Sequence, residues 1–321
     1  MDLCIAQLFR DLPRYDELSQ AAQHVAHRID LGPQRQPGFT SFAPEQAAQF
    51  AAYLAQVSLP NFVNAIRYLV TCATGMERRL DPPEEVKTCG IYHPVQQTLF
   101  FDTSDYLRWQ CGRIVDTTKR PLVALLCYYG QIVEDNHAEI DALIQALENH
   151  ALTPLCLVTE GLADSHLPPE QRYPWLSYLR DASPQVLLNL LAGRILAQPE
   201  DVAILKALNL PVVQLLRLYQ QTPEQWQQDA TGANAGAASM VFSLTQPEMA
   251  GVIDPTAVAA TVGESDPRTG LLMCRSIPLP EQIERLCLRL HRWIRLRMLE
   301  NNEKRLTIVL HNNPCKGVEA T

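Results

Sequence analysis

Apolar residues between positions 121 and 160 follow a pattern that predicts a strand, a helix and a second strand. PLVALLCYY (residues 121–129) and LTPLCLVTE (152–160) are apolar runs of strand length, and HAEIDALIQALENH (137–150) between them repeats apolar residues at helical spacing. Near-continuous apolar strands joined by a short helix are typical of a parallel sheet that is covered on both faces. The pattern therefore predicts a β-α-β unit, whose crossover is almost always right-handed.

Similar segments flank this unit and extend the predicted sheet. Further strands are predicted at residues 86–92, 185–191 and 211–218, and helices at 201–208, 223–228 and 281–299. A helix through Tyr106 and Trp109 is expected to be capped by Thr103 or Ser104, and Thr222 is a good cap for the helix at 223–228. Residues 246–255 are expected to be rich in turns. The predicted fold class is α/β, with an open, mostly parallel sheet flanked by helices.

The beginning and the end of the chain have a different pattern. Helices are predicted at residues 16–27, 44–57 and 61–73, which makes the N-terminal region helical and neck-like. A strand is predicted at 305–310, and no helix follows to cover it, which predicts a truncated chain. The predicted domains are a helical region at 1–84, an α/β domain at 85–300 and the first strand of a following domain at 301–321.

Charge and composition exclude several classes of protein. A formal charge of -8 and a pI near 5.5 argue against a nucleic-acid partner, and no apolar run approaches the roughly 18 residues of a membrane span. The nine cysteines include no CxxC pair, and the N-terminus lacks the pattern of a secretory signal, so a cytoplasmic protein with free thiols is expected. No GxGxxG or GxxxxGK[ST] pattern occurs, so the chain itself is expected neither to bind nor to hydrolyse ATP.

The helix predicted at 281–299 combines an apolar stripe with a row of arginines. Arg285, Arg289 and Arg292 share one of its faces and are expected to be exposed. The row is either a solvated basic face or a docking surface for an acidic partner or a carboxylated ligand.

Six segments occur in the order found in the large subunits of metal chelatases. They are NFVNAIRYL (61–69), GIYHP (90–94) with LFFDTSDYL (99–107), PLVALLCYY with Asn136, LNLPVVQ (208–214) with Trp226, PEMAGVIDP (247–255), and the last helix followed by NNEKRLTIVLHNNP (301–314). The chain thereby resembles an internal fragment of the cobaltochelatase (CobN) and magnesium-chelatase large-subunit family. It departs from the family at residues 127–130, where many relatives are more basic, and at His150, where many have glycine.

The resemblance implies a function in metal insertion. The chain would be part of the tetrapyrrole-binding large subunit of an ATP-dependent chelatase that inserts Co2+ into hydrogenobyrinic acid a,c-diamide in cobalamin biosynthesis. A magnesium or nickel chelatase subunit, or a non-catalytic tetrapyrrole-binding or scaffold fragment, are the alternatives. In the family, ATP with Mg2+ is hydrolysed by separate AAA-type motor subunits. The glutamate-bearing segment associated with insertion lies beyond residue 321, so the chain alone is expected to be inactive.

Candidate substrate-binding residues follow from the expected sheet. In an open α/β sheet the ligand crevice lies beyond the carboxyl ends of the strands. The polar residues expected there are His93, Tyr128, Tyr129, Asn136, Asn189, and His311 with Asn312 and Asn313. Each has a structural alternative: Asn136 as a helix cap, Asn189 as a partner of backbone groups, His93 as the cap of a strand end, and the tyrosines as packing residues. The sequence assigns no catalytic or metal-binding residue.

Overall fold

The computed structural model describes residues 3–7, 27–31, 37–56, 58–96, 98–113, 120–160, 167–192, 195, 201–230, 232, 240–265 and 272–308. The chain divides into two compact units. The first comprises Met1–Thr88 with Tyr129–Asn136, and the second comprises Cys89–Tyr128 with His137–Thr321.

The first unit contains strands as well as the expected helices. Its elements are β1 (Leu3–Gln7), β2 (His27–Leu31), β3 (Pro37–Thr40), α1 (Pro44–Leu54), α2 (Leu59–Thr74) and α4 (Tyr129–Val133). β1 pairs with β2 in parallel, and β2 pairs with β3 antiparallel. Helices α1 and α2 correspond to the predicted helices, and their apolar faces pack together around Phe50, Tyr53 and Leu69.

The prediction that residues 3–7, 27–31 and 37–40 belong to a helical region is wrong. In HRIDL, the apolar Ile29 and Leu31 alternate with Arg28 and Asp30, and this period of two fits a strand. Most of the helix expected at 16–27 lies outside the described residues, and His27 begins β2.

The second unit is built on a seven-stranded sheet. Its elements are β4 (Gly90–Tyr92), α3 (Thr103–Arg113), β5 (Leu122–Tyr128), α5 (Ala138–Asn149), β6 (Thr153–Thr159), α6 (Pro169–Arg172), α7 (Trp175–Ala182), β7 (Val186–Asn189), α8 (Val202–Leu208), β8 (Val212–Leu218), α9 (Pro223–Gln228), a π-helical turn (Val241–Thr245), α10 (Gln246–Met249), β9 (Ile253–Ser265), β10 (Leu272–Pro278) and α11 (Pro280–Met298).

The order of the strands confirms the predicted open, mostly parallel sheet. It runs β10-β9-β8-β7-β5-β6-β4; the five central strands are parallel, whereas β4 and β10 are antiparallel to their neighbours. β5, α5 and β6 form the predicted β-α-β unit. Ala124 and Leu126 of β5 pack in one core cluster with Tyr106 of α3 and Trp175 of α7. One apolar stripe of each of the helices α5 and α11 is buried as well.

Helix caps follow the sequence in one case and differ in another. The Thr222 side chain accepts a hydrogen bond from the backbone N–H of Gln225, as expected of an N-cap. At α3, the carboxylate of Asp102 accepts from the N–H of Asp105 at 2.9 Å, so the cap is Asp102 and not Thr103 or Ser104. An aspartate caps a helix as well as serine or threonine does, and this position lies one residue earlier.

The long hairpin of β9 and β10 was not predicted. β9 is 13 residues long, and in its central part, AVAATVG, three alanines and a glycine of low strand propensity are mixed with the strand-favouring valines and threonine. The turn-rich segment expected at 246–255 covers α10 and the first residues of β9.

The hairpin changes the surroundings of α11. Asp254 at the start of β9 accepts a hydrogen bond from Arg289 Nε at 2.9 Å, and Trp293 Nε1 lies 3.3 Å from the same carboxylate oxygen. Arg289 also donates to the hydroxyl of Thr256. The expectation that Arg285, Arg289 and Arg292 are all exposed is therefore wrong for Arg289, because a strand that the sequence did not reveal provides its partner.

Residues after α11 lack the expected strand where the structure describes them. Residues 301–303 form a turn, and 304–308 have no regular secondary structure and are exposed. Residues 309 and 310 lie outside the described residues. The domain boundaries at 84 and 300 stay a prediction.

Candidate functional site

The carboxyl ends of the parallel strands meet at one edge of the second unit, where Tyr128 closes β5. Its hydroxyl donates a hydrogen bond to the carbonyl of Ala192, just beyond β7, at 3.4 Å. Burial raises the pKa of Tyr128 above its ordinary value, and the neighbouring Tyr219 adds to the rise. The phenol therefore stays protonated at neutral pH and keeps its hydrogen to donate.

Asn189 lies at the end of β7 on the same edge and is completely buried. Its amide nitrogen donates to Gln214 Oε1 at 2.8 Å and to the carbonyl of Leu191 at 3.3 Å, and its oxygen accepts from the N–H of Leu191 at 3.2 Å. Both polar atoms of the Asn189 side chain are therefore engaged in hydrogen bonds within the protein. Asn189 thus holds the strand end that leads to Leu191 and Ala192, which agrees with its structural alternative.

A buried ion pair lies near this edge and was not predicted. Glu139, in the first turn of α5, has no exposed surface, and it pairs with Arg217 in β8, whose side chain is 10% exposed. The Arg217 guanidinium also lies 5.8 Å from the ring centroid of Tyr219. A signal was present in the sequence, because an arginine inside the apolar run PVVQLLRL requires a buried partner. The identity of that partner depends on the fold.

The ion pair determines the chemistry available at the edge. Glu139 neutralises Arg217, so a ligand carboxylate can use this guanidinium only by displacing Glu139. Tyr219 directly follows β8 and is 47% exposed, so its ring is accessible at the same edge. Cys127 is buried next to Cys156, and burial raises its thiol pKa well above the usual value, so it is an unreactive thiol. The edge therefore offers the exposed aromatic ring of Tyr219 and two phenol hydroxyls.

His93 does not belong to this edge. It follows β4, which runs antiparallel to β6 with Tyr92 opposite Cys156, so His93 lies toward the amino ends of the parallel strands. The expectation that it lies beside Tyr128 and Asn189 is wrong, because a strand's direction cannot be read from its hydrophobic pattern.

The side chain of His93 belongs to a buried polar cluster. The N–H of Val95 donates to His93 Nδ1 at 3.3 Å, and His93 Nε2 lies 3.2 Å from Glu148 Oε1 and 3.0 Å from Arg113 Nη1. Gln110 and Arg113 donate to the same carboxylate oxygen at 2.7 and 3.1 Å. Burial lowers the pKa of His93, and the charge of Arg113 adds to this despite the opposing effect of Glu148. For Glu148, burial alone would raise the pKa, but its hydrogen bonds with Gln110 and His93 and the charge of Arg113 together lower it.

None of the hydrogen bonds described above joins the other candidate substrate-binding residues to the carboxyl edge. Asn136 belongs to the first unit and directly precedes the cap position of α5, which is His137; its N–H donates to the Gln131 carbonyl at 3.0 Å. Asn136 is therefore not the N-cap. Tyr129 begins α4. His311, Asn312 and Asn313 lie outside the described residues.

Two further properties concern the described part of the chain. Its histidine, cysteine and acidic side chains form no group of three or more that could hold a metal ion. Its helices include none that is both long and apolar enough to cross a membrane.

Comparisons with known proteins agree with the six sequence segments. Residues 51–320 match the family model described as CobN/Magnesium Chelatase. The chain is 28% identical over 273 residues to the chloroplastic magnesium-chelatase subunit ChlH of Oryza sativa subsp. indica, which covers 80% of this chain and 18% of that protein. It is 26% identical over 277 residues to the aerobic cobaltochelatase subunit CobN of Pseudomonas aeruginosa, covering 85% of this chain and 21% of the relative.

A solved structure shows the same fold. The catalytic subunit of cobaltochelatase from Mycobacterium tuberculosis superposes with a TM-score of 0.62 at 18% identity, over 94% of this chain and 24% of that one. The chain thus spans about a fifth of the length of the relatives it matches.

Proposed function

The chain belongs to the CobN/magnesium chelatase family, and from this membership we propose that it is part of the tetrapyrrole-binding large subunit of an ATP-dependent metal chelatase. The continuous match over residues 51–320 carries the proposal, because it includes every strand of the second unit's sheet. The proposal places the protein in the cytoplasm, which the free cysteines of the described residues support.

The proposed reaction is the insertion of Co2+ into hydrogenobyrinic acid a,c-diamide, a step of cobalamin biosynthesis. Insertion of Mg2+ into a porphyrin is the second candidate, because the magnesium-chelatase subunit of rice is as similar to this chain as the cobaltochelatase subunit is. ATP, bound with Mg2+, would be hydrolysed by AAA-type partner subunits, in keeping with the lack of a phosphate-binding loop pattern in these 321 residues.

The carboxyl edge is the proposed position of the macrocycle. A tetrapyrrole is a large planar ring, and the exposed ring of Tyr219 provides a face on which it can stack. The Tyr128 hydroxyl has a single hydrogen, and it can donate this to an acidic or amide substituent of the ring in exchange for its long bond of 3.4 Å to the Ala192 carbonyl. Asn189 acts indirectly, by fixing the end of β7. His93, at the other end of the strands, is left out of this binding edge.

The test is a spectroscopic titration of the chain with hydrogenobyrinic acid a,c-diamide and, separately, with protoporphyrin IX. We expect saturable binding of one macrocycle, with Tyr219→Leu weakening it by about 2- to 10-fold, as the loss of an aromatic contact does. Tyr178→Phe in α7 is the matched control, because Tyr178 lies in the core cluster of α7 and not at the edge. Failure of both macrocycles to bind would contradict the proposal, and unchanged binding by Tyr219→Leu would contradict the assignment of the edge.

A further inference from the structure

Helix α11 has exposed apolar residues on the side opposite its buried stripe. The buried stripe consists of Ile283, Leu286, Cys287, Leu290 and Ile294. With about 3.6 residues per turn, Arg285, Leu288, Arg292 and Leu296 form a second row on the outward side. Leu288 and Leu296 are 53% and 44% exposed. The two leucines alternate with Arg285 and Arg292, so the row combines apolar and basic side chains, as a surface that binds an amphipathic partner does.

The charge of the same row is opposite to that of the chain. Residues 285–297 contain five arginines and no carboxylate, whereas the chain has a net charge of -8. Arg295 and Arg297 lie in the last turn, where the helix dipole favours cations, and Arg297 donates to the carbonyl of Asn209. Arg285 and Arg292 lie outside the last turn, so the helix dipole does not account for them. Both are exposed, and neither forms an ion pair with any residue that the structure describes.

A cavity of about 480 Å3 opens at the C-terminal part of the row. It is lined by Asp254, Arg289, Arg292, Trp293 and Leu296. Asp254 and Arg289 neutralise each other, so the remaining positive charge at the cavity is that of Arg292. The indole of Trp293 and the side chain of Leu296 supply apolar walls. This combination suits an apolar side chain that has a carboxylate close beside it.

We propose that the row Arg285, Leu288, Arg292 and Leu296 is the docking site for an acidic amphipathic helix of a partner protein. Carboxylates of that helix pair with Arg285 and Arg292, and one of its apolar side chains enters the cavity beside Trp293. Charge complementarity selects this occupant. An anionic membrane surface fits less well, because the rest of this acidic chain would be repelled and because two leucines provide little apolar area. The proposal is independent of the proposed catalytic function.

The size of the row sets the expected strength of binding. From residue 285 to residue 296 a helix rises about 16 Å, so the contact is smaller than the roughly 800 Å2 per partner of a standard interface. The dissociation constant is therefore expected to lie in the micromolar range and to rise with salt, since exposed charges provide much of the attraction.

The test uses a fluorescein-labelled helical peptide with glutamates at positions i and i+7 and leucines at i+3 and i+11, and measures its fluorescence anisotropy with the full chain. We expect saturable binding that weakens about tenfold in Arg292→Glu and in Leu296→Asp. Arg67→Glu is the matched control, because it makes the same charge change at an exposed helical position of the first unit, and its affinity should be unchanged. A second peptide with glutamine in place of glutamate should bind several times more weakly.

A charge exchange tests the direct pairing. The double variant Arg285→Glu with Arg292→Glu should lose the glutamate peptide and bind a peptide that has lysine at i and i+7. Equal affinity of the parent chain and all variants for the glutamate peptide would overturn the proposal. It would also be overturned if Arg292→Glu instead abolished binding to vesicles containing phosphatidylserine, or abolished a concentration-dependent dimer seen by sedimentation. The first result would identify a lipid surface as the occupant, and the second would identify another copy of this chain.

Discussion

Reversal of the charge at Arg289 should destabilise the second unit, whereas the same reversal at Arg285 should not. Arg289 Nε lies 2.9 Å from Asp254 Oδ2, and the two side chains are 33% and 25% exposed. A hydrogen bond to a charged group contributes about 1.5–3 kcal/mol. In Arg289→Glu this contribution is lost, and two carboxylates about 4 Å apart repel each other by up to about 4 kcal/mol at an effective dielectric constant of 20.

Partial exposure and salt reduce the repulsion, so we expect Arg289→Glu to lower the free energy of unfolding by about 2–4 kcal/mol. Arg285 is exposed, and its replacement by glutamate should change the free energy by less than about 0.5 kcal/mol. Urea denaturation followed by tryptophan fluorescence measures both values.

A second substitution identifies the cause of the loss. Asp254→Asn removes the repulsion, and asparagine tolerates the positive φ of 52° at this position. Added to Arg289→Glu, it should restore stability relative to the single variant. The reasoning is refuted if Arg289→Glu and Arg285→Glu have equal effects, or if Asp254→Asn makes the loss larger.

Three further predictions concern the core and the buried polar groups. Glu139→Gln should lower the free energy of unfolding by about 3–5 kcal/mol, because it removes the carboxylate that faces the largely buried Arg217 guanidinium. The double variant Glu139→Leu with Arg217→Met should recover most of this loss in urea denaturation, and a double variant that is less stable than Glu139→Gln would contradict this. The folded pKa of His93 is depressed, so its neutral form is the stable one, and stability should fall as the pH drops below the unfolded pKa of about 6.5. The urea midpoint of His93→Asn should fall less between pH 7.5 and pH 5.5 than that of the parent chain, and an equal fall in both proteins would show that other groups are responsible. Leu143→Ala should lower the free energy of unfolding by about 2–5 kcal/mol, because Leu143 lies on the buried face of α5 and has no exposed surface. Gln145→Ala, on the exposed face of the same helix, should be nearly neutral, and similar Tm values for the two variants would contradict the packing of this helix.

The sequence predicted the centre of the sheet better than its margins. β5, α5 and β6 were recognised because buried parallel strands are nearly continuous apolar runs. β9 escaped because small residues and a proline do not resemble such a run. Without β9 the sequence could not reveal Asp254 as the partner of Arg289.

The location of a candidate residue could be predicted from the sequence only where it depends on the residue's position along a parallel strand. Tyr128 and Asn189 end parallel strands, and both lie at the carboxyl edge as expected. His93 was assigned to the wrong end because β4 runs antiparallel, and this direction depends on pairing with β6. Glu139 and Arg217 meet only through the fold, since 78 positions of the sequence separate them. Tertiary pairing, which local pattern does not encode, accounts for each of these differences.

The central claim, that this protein takes part in inserting a metal into a tetrapyrrole, is tested most directly in the organism that encodes it. The gene is deleted, and metal-free and metal-bound tetrapyrroles are measured by mass spectrometry in the deletion strain and in a strain with the gene restored. We predict that the metal-free macrocycle accumulates and its metal complex decreases, with hydrogenobyrinic acid a,c-diamide accumulating if the metal is cobalt and protoporphyrin IX if it is magnesium. An unchanged ratio of metal-free to metal-bound forms for both macrocycles would contradict the claim.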